Sequence, residues 1–303
     1  EHAPDDKRGW YGSFIPVSTF SAFATAAALG LGLNSLVSEA TMQAWGWRVP
    51  FLIAAPLGLI GLYMRLKLDD SPAFRLIQQE HNATSAPLKE TLTTHGSTIV
   101  SLMAFISATA LSFYMFSTYF ATYMQVAGGA TRQTALLASL GGLIVAALLC
   151  PLAGRYSDLV GRRNTIITAC GSLAIAVFPA YSLAASGTLW ASMLGASLMA
   201  VGAVLCGVVT AALLSEQFPT RVRYTASALS YNVAYTIFGG TAPLVATWLI
   251  DLSGNNLAPA WHLIAIAAVA LLGGLRLPET RGISLTDIPE TPRRRASSVI
   301  PAA

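Results

Sequence analysis

Long apolar runs without a single charge decide what this chain can be. Ala135–Ala153 holds no Asp, Glu, Lys or Arg, and neither does Ile166–Ala185. A run of about 18 such residues is long enough to cross the hydrocarbon core of a bilayer as a helix. Eight runs of this kind are readable: Ser13–Val37, Val49–Leu66, Ser97–Met124, Thr134–Ala153, Asn164–Ala185, Leu189–Leu214, Thr225–Ile250 and Ala258–Leu275. They are continuous rather than alternating, so helices are expected and not barrel strands. Charged residues make up 11% of the chain and hydrophobic ones 54%. A soluble domain carries about 25% charged residues, so a soluble globular core is excluded. The expected fold class is an all-α membrane protein.

Eight spans put both ends of the chain on one side. Sixteen of the 18 Lys and Arg then fall on that side, and only Arg48 and Arg132 on the other. Positive loops stay in the cytoplasm, so both termini of this chain are expected in the cytoplasm and the protein in the plasma membrane. The net charge of +4 is thus a matter of topology and not of nucleic-acid binding. Trp45 and Trp47 at one end of the second span, and Arg65 and Lys67 at the other, are the expected interface anchors.

Residues 1–66 hold two spans, 67–96 a polar central loop expected in the cytoplasm, 97–276 six spans, and 277–303 a tail. The Asn82-Ala83-Thr84 sequon falls in that loop, where glycosylation does not occur. The tail from Pro278 is expected to be disordered, with Arg293, Arg294 and Arg295 either touching anionic lipid or anchoring topology. Cys150, Cys170 and Cys206 lie within apolar runs and are expected to be small packing residues. His2, His81, His95 and His262 are far apart, and neither H-E-x-x-H nor G-x-S-x-G occurs. No enzyme chemistry, metal or cofactor is expected. A channel would show a ring of pore charges or a carbonyl filter, and neither is visible.

One charged stretch interrupts the apolar sequence, GRYSDLVGRRNT at 154–165, expected as a loop between the fourth and fifth spans. Gly154 and Gly161 allow tight turns and close helix approach. Asp158 and Arg162 are four apart and can pair if the stretch is helical. Asp158 can also serve the N-terminus of a neighbouring helix. Topology alone explains Arg155, Arg162 and Arg163, but not the aspartate or its spacing from the glycines.

The pattern G-x-x-S-D-x-x-G-R-R resembles the signature loop of the major facilitator superfamily. The stretches APDDKRGWYGS (3–13), WGWRVPFLIAAPLGLIGLYMRLKLDDSPAF (45–74), FPTRVRYTASALSYNVA (218–234) and LPETRG (277–282) resemble its metabolite:proton symporter branch, nearest to the proline/betaine osmolyte carriers. The resemblance implies a secondary transporter whose partners are a small solute, protons and the lipid bilayer. It implies that Gly154, Asp158, Gly161, Arg162 and Arg163 form a cytoplasmic gate, with Arg155 standing where a small residue is usual. It also aligns the first span with the family's fifth, so the chain, which starts at Glu1, is expected to lack four N-terminal helices. Residues 1–66 would then be the last two helices of the first bundle and 97–276 the second. A proton symporter of oxoglutarate, shikimate or citrate is the alternative within the branch. A non-functional fragment, or a receptor or channel, is the alternative outside it.

Such carriers bind substrate near the membrane midplane. Tyr114, Tyr231, Asn232 and Tyr235 are the expected substrate residues. Aromatic rings suit a quaternary ammonium through cation–π attraction, and Asn232 can orient a carboxylate or an amide. Each can equally be a packing residue, and Asn232 interhelical glue. Tyr119 and Tyr123 fall toward the outer end, where belt tyrosines are expected. Pro179, Gly239, Gly240 and Pro243 read equally as hinges or packing contacts. No Asp, Glu, Lys or Arg stands in the middle of any span, so a proton carrier is expected in the missing helices. The lack of a mid-span cation tilts the substrate toward a zwitterion.

Overall fold

The computed structural model describes residues 3–67, 87–285 and 288. The sequon and Arg293, Arg294 and Arg295 lie outside the described residues. The regular elements among them are all helices. The first pass is α1 (Arg8–Gly12) continued by α2 (Phe14–Leu36). A short α3 (Glu39–Ala44) and a 3-10 turn (Gly46–Arg48) lead into α4 (Val49–Lys67). The third pass is α5 (Pro87–Tyr114), a π-helical turn (Met115–Tyr119) and α6 (Phe120–Val126). Then follow α7 (Arg132–Val160), α8 (Arg162–Ala184) and α9 (Leu189–Glu216). The seventh pass is α10 (Thr220–Ala234), a second π-helical turn (Tyr235–Gly239) and α11 (Ala242–Ser253). The last is α12 (Ala258–Gly274).

Seven of these passes are long and apolar enough to cross a membrane, and α12 is a shorter apolar helix. Its 17 residues rise about 25 Å at 1.5 Å each, at the lower limit for a span. The chain is thus a multi-pass membrane protein. We call the end that carries both Arg8 and Thr280 the basic end.

Three expectations are corrected. The charged stretch is not a loop: α7 continues to Val160 and α8 starts at Arg162, leaving Gly161 alone between them. Gly161 has φ +92, a conformation open to glycine and costly for other residues. The central loop is shorter than expected, since residues 87–96 are already helical. The tail does not begin disordered, because Leu277 and Leu285 are buried.

Small residues let the helices touch. A Cβ on Gly142 of α7 would meet Ala196 of α9 at 2.7 Å, and one on Gly195 of α9 would lie 2.6 Å from the Ala180 carbonyl of α8. Lipid offers no hydrophobic drive between helices, so such close backbone approach and its dispersion contacts hold them together. Cys150, Cys170 and Cys206 are free and buried in this packing. Tyr119 and Tyr123 are buried too. They are not belt residues: Tyr123 packs its ring 4.6 Å from that of Tyr181. By contrast, α4 buries none of its residues.

Candidate functional site

The first candidate site is a buried ionic cluster at the basic end. Because α7 stays helical to Val160, Asp158 and Arg162 meet at 3.0 Å. Arg162 also grips Glu216 at the end of α9 with two hydrogen bonds, Nε to Oε2 at 3.0 Å and Nη2 to Oε1 at 2.8 Å. This is the bidentate geometry that suits a guanidinium. A further Arg162 N–H goes to Ser157 Oγ at 2.9 Å. Arg162 and Glu216 are both 1% exposed, so each depends on its partners to carry a charge there.

The cluster joins α1 to the later helices. Asp158 accepts the backbone N–H of Gly9 at 2.7 Å and of Trp10 at 2.8 Å, an anion on an open helix start. Gly154 makes room for this, since a Cβ there would lie 2.6 Å from the Gly9 carbonyl oxygen. Arg8 is buried, lies 3.5 Å from Glu216 and pairs with Asp5. Arg155 places its guanidinium 4.3 Å from the centre of the Trp10 ring, a cation–π contact. Arg163 differs from its companions. Its backbone N–H is used, but its side chain is exposed and has no hydrogen-bond or ion-pair partner among the described residues.

Residues 277–285 strap the cluster from outside. Glu279 accepts the N–H of Arg162 at 2.8 Å and of Arg163 at 2.9 Å, capping α8, and its own neighbours Thr280 and Arg281 donate to it as well. Burial pushes the Glu279 carboxyl up, but these four backbone donors outweigh it and hold its pKa below the ordinary value. The Thr280 hydroxyl donates to Glu216 at 2.6 Å. Arg8 donates to the Ile283 carbonyl at 2.9 Å, and Arg223 of α10 to that of Leu285 at 3.1 Å. Glu216, Glu279, Thr280 and Arg8 were not singled out from the sequence. Glu216 could have been, as a carboxylate at the end of a span that is otherwise free of charge.

The second candidate site is a cavity of about 1600 Å³ between α2, α5, α9 and α10. All four side chains expected to touch substrate, Tyr114, Tyr231, Asn232 and Tyr235, line it. Tyr231 and Tyr235 stack at 4.0 Å, and Tyr114 meets Tyr235 edge-on at 6.3 Å. Phe113 extends this aromatic wall to α2, where it meets Phe23 at 5.5 Å and Phe20 at 5.8 Å. The π-helical turn after Ala234 brings Gly239 against Tyr114; a Cβ there would lie 2.7 Å from the ring. Gly239 is therefore a packing contact, next to an irregularity of the kind often found at functional sites. The cavity also holds a cation that the sequence placed outside the spans. Arg223 lines it, with Nε already given to the Phe218 carbonyl at 3.0 Å.

A helical membrane protein with two passes ahead of six, a salt-bridged G-x-x-S-D-x-x-G-R-R turn and a cavity beside it has the architecture of a facilitator-type carrier. The profile of the Major Facilitator Superfamily matches residues 17–242. The chain belongs to the Major Facilitator Superfamily. It is 32% identical over 289 residues to the glycine betaine/proline/ectoine/pipecolic acid transporter OusA of Dickeya dadantii, covering 92% of this chain and 58% of that one. It is 31% identical to the proline/betaine transporter of Escherichia coli, with the same coverage. To the inner membrane metabolite transport protein YhjE of Escherichia coli it is 33% identical, covering 94% of this chain and 66% of that one. The fold matches a solved structure of the proton:xylose symporter XylE with a TM-score of 0.69 at 19% identity, covering 94% of this chain and 67% of that one. The chain spans a little over half the length of the OusA and proline/betaine relatives.

Proposed function

We propose that the chain forms part of a secondary carrier for small zwitterions of the proline and betaine kind, driven by protons and working by alternating access. The observation that carries this is the aromatic wall. Tyr114, Tyr231, Tyr235 and Phe113, from two different passes, converge on one cavity that α2 closes with Phe20 and Phe23. Ring faces attract a cationic nitrogen, and relatives named for proline and betaine transport are identical to this chain at about a third of the aligned positions.

The basic end holds sixteen of the 18 Lys and Arg if the spans alternate as read, which assigns it to the cytoplasm. There the ionic cluster is the gate. Its bonds fall into two groups. Arg162–Glu216, Thr280–Glu216 and the Glu279 cap lie among the last six passes. Asp158 to Gly9 and Trp10, Arg8 to Glu216 and Ile283, and Arg155 over Trp10 cross to the first pass. Rocking of one bundle against the other breaks the second group and keeps the first. Gly154, Asp158, Gly161 and Arg162 belong to this gate; Arg163 contributes its backbone alone.

A second reading, an organic-anion carrier, draws on Arg223 in the cavity wall. Its guanidinium is already committed to two backbone carbonyls, so the zwitterion is favoured. The test is uptake of radiolabelled proline and glycine betaine by cells without their own osmolyte carriers, expressing the whole reading frame that encodes the chain. Accumulation that stops when the pH gradient is collapsed is expected. A protein that reaches the membrane and moves neither solute would overturn the zwitterion reading; uptake of both that is indifferent to the gradient would overturn the proton coupling.

A further inference from the structure

Several polar side chains around the aromatic wall donate to backbone carbonyls of their surroundings. Asn232 Nδ2 donates to the Ala228 carbonyl of its own helix at 2.8 Å. A carbonyl accepts only, so the amide nitrogen must face it and Oδ1 must face away. Asn232 lines the cavity and is exposed there, and among the described residues Oδ1 accepts no hydrogen bond. The neighbouring hydroxyls behave alike. Thr19 donates to Ile15 at 3.1 Å, Ser215 to Ala212 at 2.8 Å and Ser227 to Leu214 at 2.6 Å, each to a backbone carbonyl. These three hydroxyls keep their oxygen lone pairs free, and Asn232 keeps Oδ1 free as an acceptor beside its second N–H.

Asn232 also sits where a cation would rest. It is next to Tyr231 and one turn before Tyr235, whose rings stack on each other. All three residues line the one cavity, so a ligand held by the rings there also meets the Asn232 side chain. Ring faces attract any ammonium, methylated or not. An amide oxygen discriminates: it needs an N–H, and a quaternary nitrogen has none.

We infer that Asn232 sets the preference of this cavity among zwitterions, its amide oxygen accepting an N–H from a protonated secondary amine. This rests on the proposed zwitterion site and adds what that site distinguishes. Proline, with two N–H groups on its charged nitrogen, is favoured over its fully methylated form, while the rings alone retain the latter. The sequence offers Asn232 as a partner for a carboxylate or an amide; its free amide oxygen suits the opposite end of the ligand.

The test uses the chain in lipid nanodiscs and three radiolabelled probes: proline, N-methylproline and N,N-dimethylproline, which offer two, one and no N–H. The expected order of affinity is proline, then N-methylproline, then N,N-dimethylproline. Asn232→Leu should weaken proline about tenfold, the worth of one hydrogen bond to a charged donor, and leave N,N-dimethylproline unchanged. The unchanged probe also shows that the variant is folded. Asn232→Asp, which keeps an acceptor oxygen, should retain the preference for proline. Equal weakening of all three probes by Asn232→Leu, or an undiminished preference in that variant, would overturn the inference and leave the zwitterion site standing. Binding of none of the three by the unaltered chain would overturn both.

Discussion

Arg162 donates four side-chain hydrogen bonds to three partners, Ser157, Asp158 and Glu216, in a place almost closed to solvent. Removing one member of such a set leaves the others buried and charged, which costs about 3–5 kcal/mol. Arg162→Met is expected to destabilise the folded chain by about that much, read from unfolding in mixed detergent micelles. Arg162→Met combined with Glu216→Leu removes both charges at once and should cost less than the two single changes added together. Arg155→Ala removes only a cation–π contact at the surface of the cluster, worth about 0.5–1 kcal/mol. Half of this chemistry was legible in the sequence. Asp158 and Arg162 are one helical turn apart, and that spacing announces a pair. Glu216 and Glu279 stand 54 and 117 residues from Arg162. No local pattern connects residues so far apart; only the folded bundle does. The resemblance picked out Arg163 as readily as Arg162, because chain pattern does not say which of two adjacent arginines turns inward.

Helix α7 meets α1 through bare backbone, Gly154 against Gly9. Any side chain at Gly154 must push the two helices apart. Gly154→Val is expected to unseat α1 and so lift Trp10 away from Arg155, a change visible in tryptophan fluorescence. The start of α8 depends on Glu279 as its cap. The folded pKa of that carboxyl is depressed. Its contribution is therefore complete above the unfolded value of about 4.3 and is lost as pH falls through the lower folded value. Amide exchange at residues 162–165 is expected to accelerate in that acid range, and Glu279→Gln should remove most of the pH dependence. The spans themselves could be read from apolar length, with errors where polar residues continue a helix. Residues 87–96 and 154–160 are helical although both read as loops, since hydropathy marks where lipid ends and not where a helix ends. The two π-helical turns had no signal beyond Gly239 and Gly240, because one extra residue in a turn changes neither composition nor period.

The proposed sidedness of the molecule rests on where its cations lie, a property of the entire chain rather than of any one contact. It can be checked without touching the fold. Cys150, Cys170 and Cys206 are buried, so a cysteine introduced on the surface is expected to react first with a membrane-impermeant maleimide. Arg132→Cys should be labelled in intact cells and Arg163→Cys only after lysis; the reverse pattern would invert the proposed orientation. The aromatic cavity was legible as a set of residue types but not as one shared space, for α2 contributes Phe20 and Phe23 from nearly a hundred residues away. The strap at 277–285 carries a consequence in time. Arg8 donates to a carbonyl that follows it by 275 residues. At ribosomal speeds of about 5–20 residues per second, that acceptor is made roughly 14 to 55 s after the arginine. The Arg8–Ile283 contact therefore cannot form until the strap has been synthesised, so the basic end closes after every pass described above has been made.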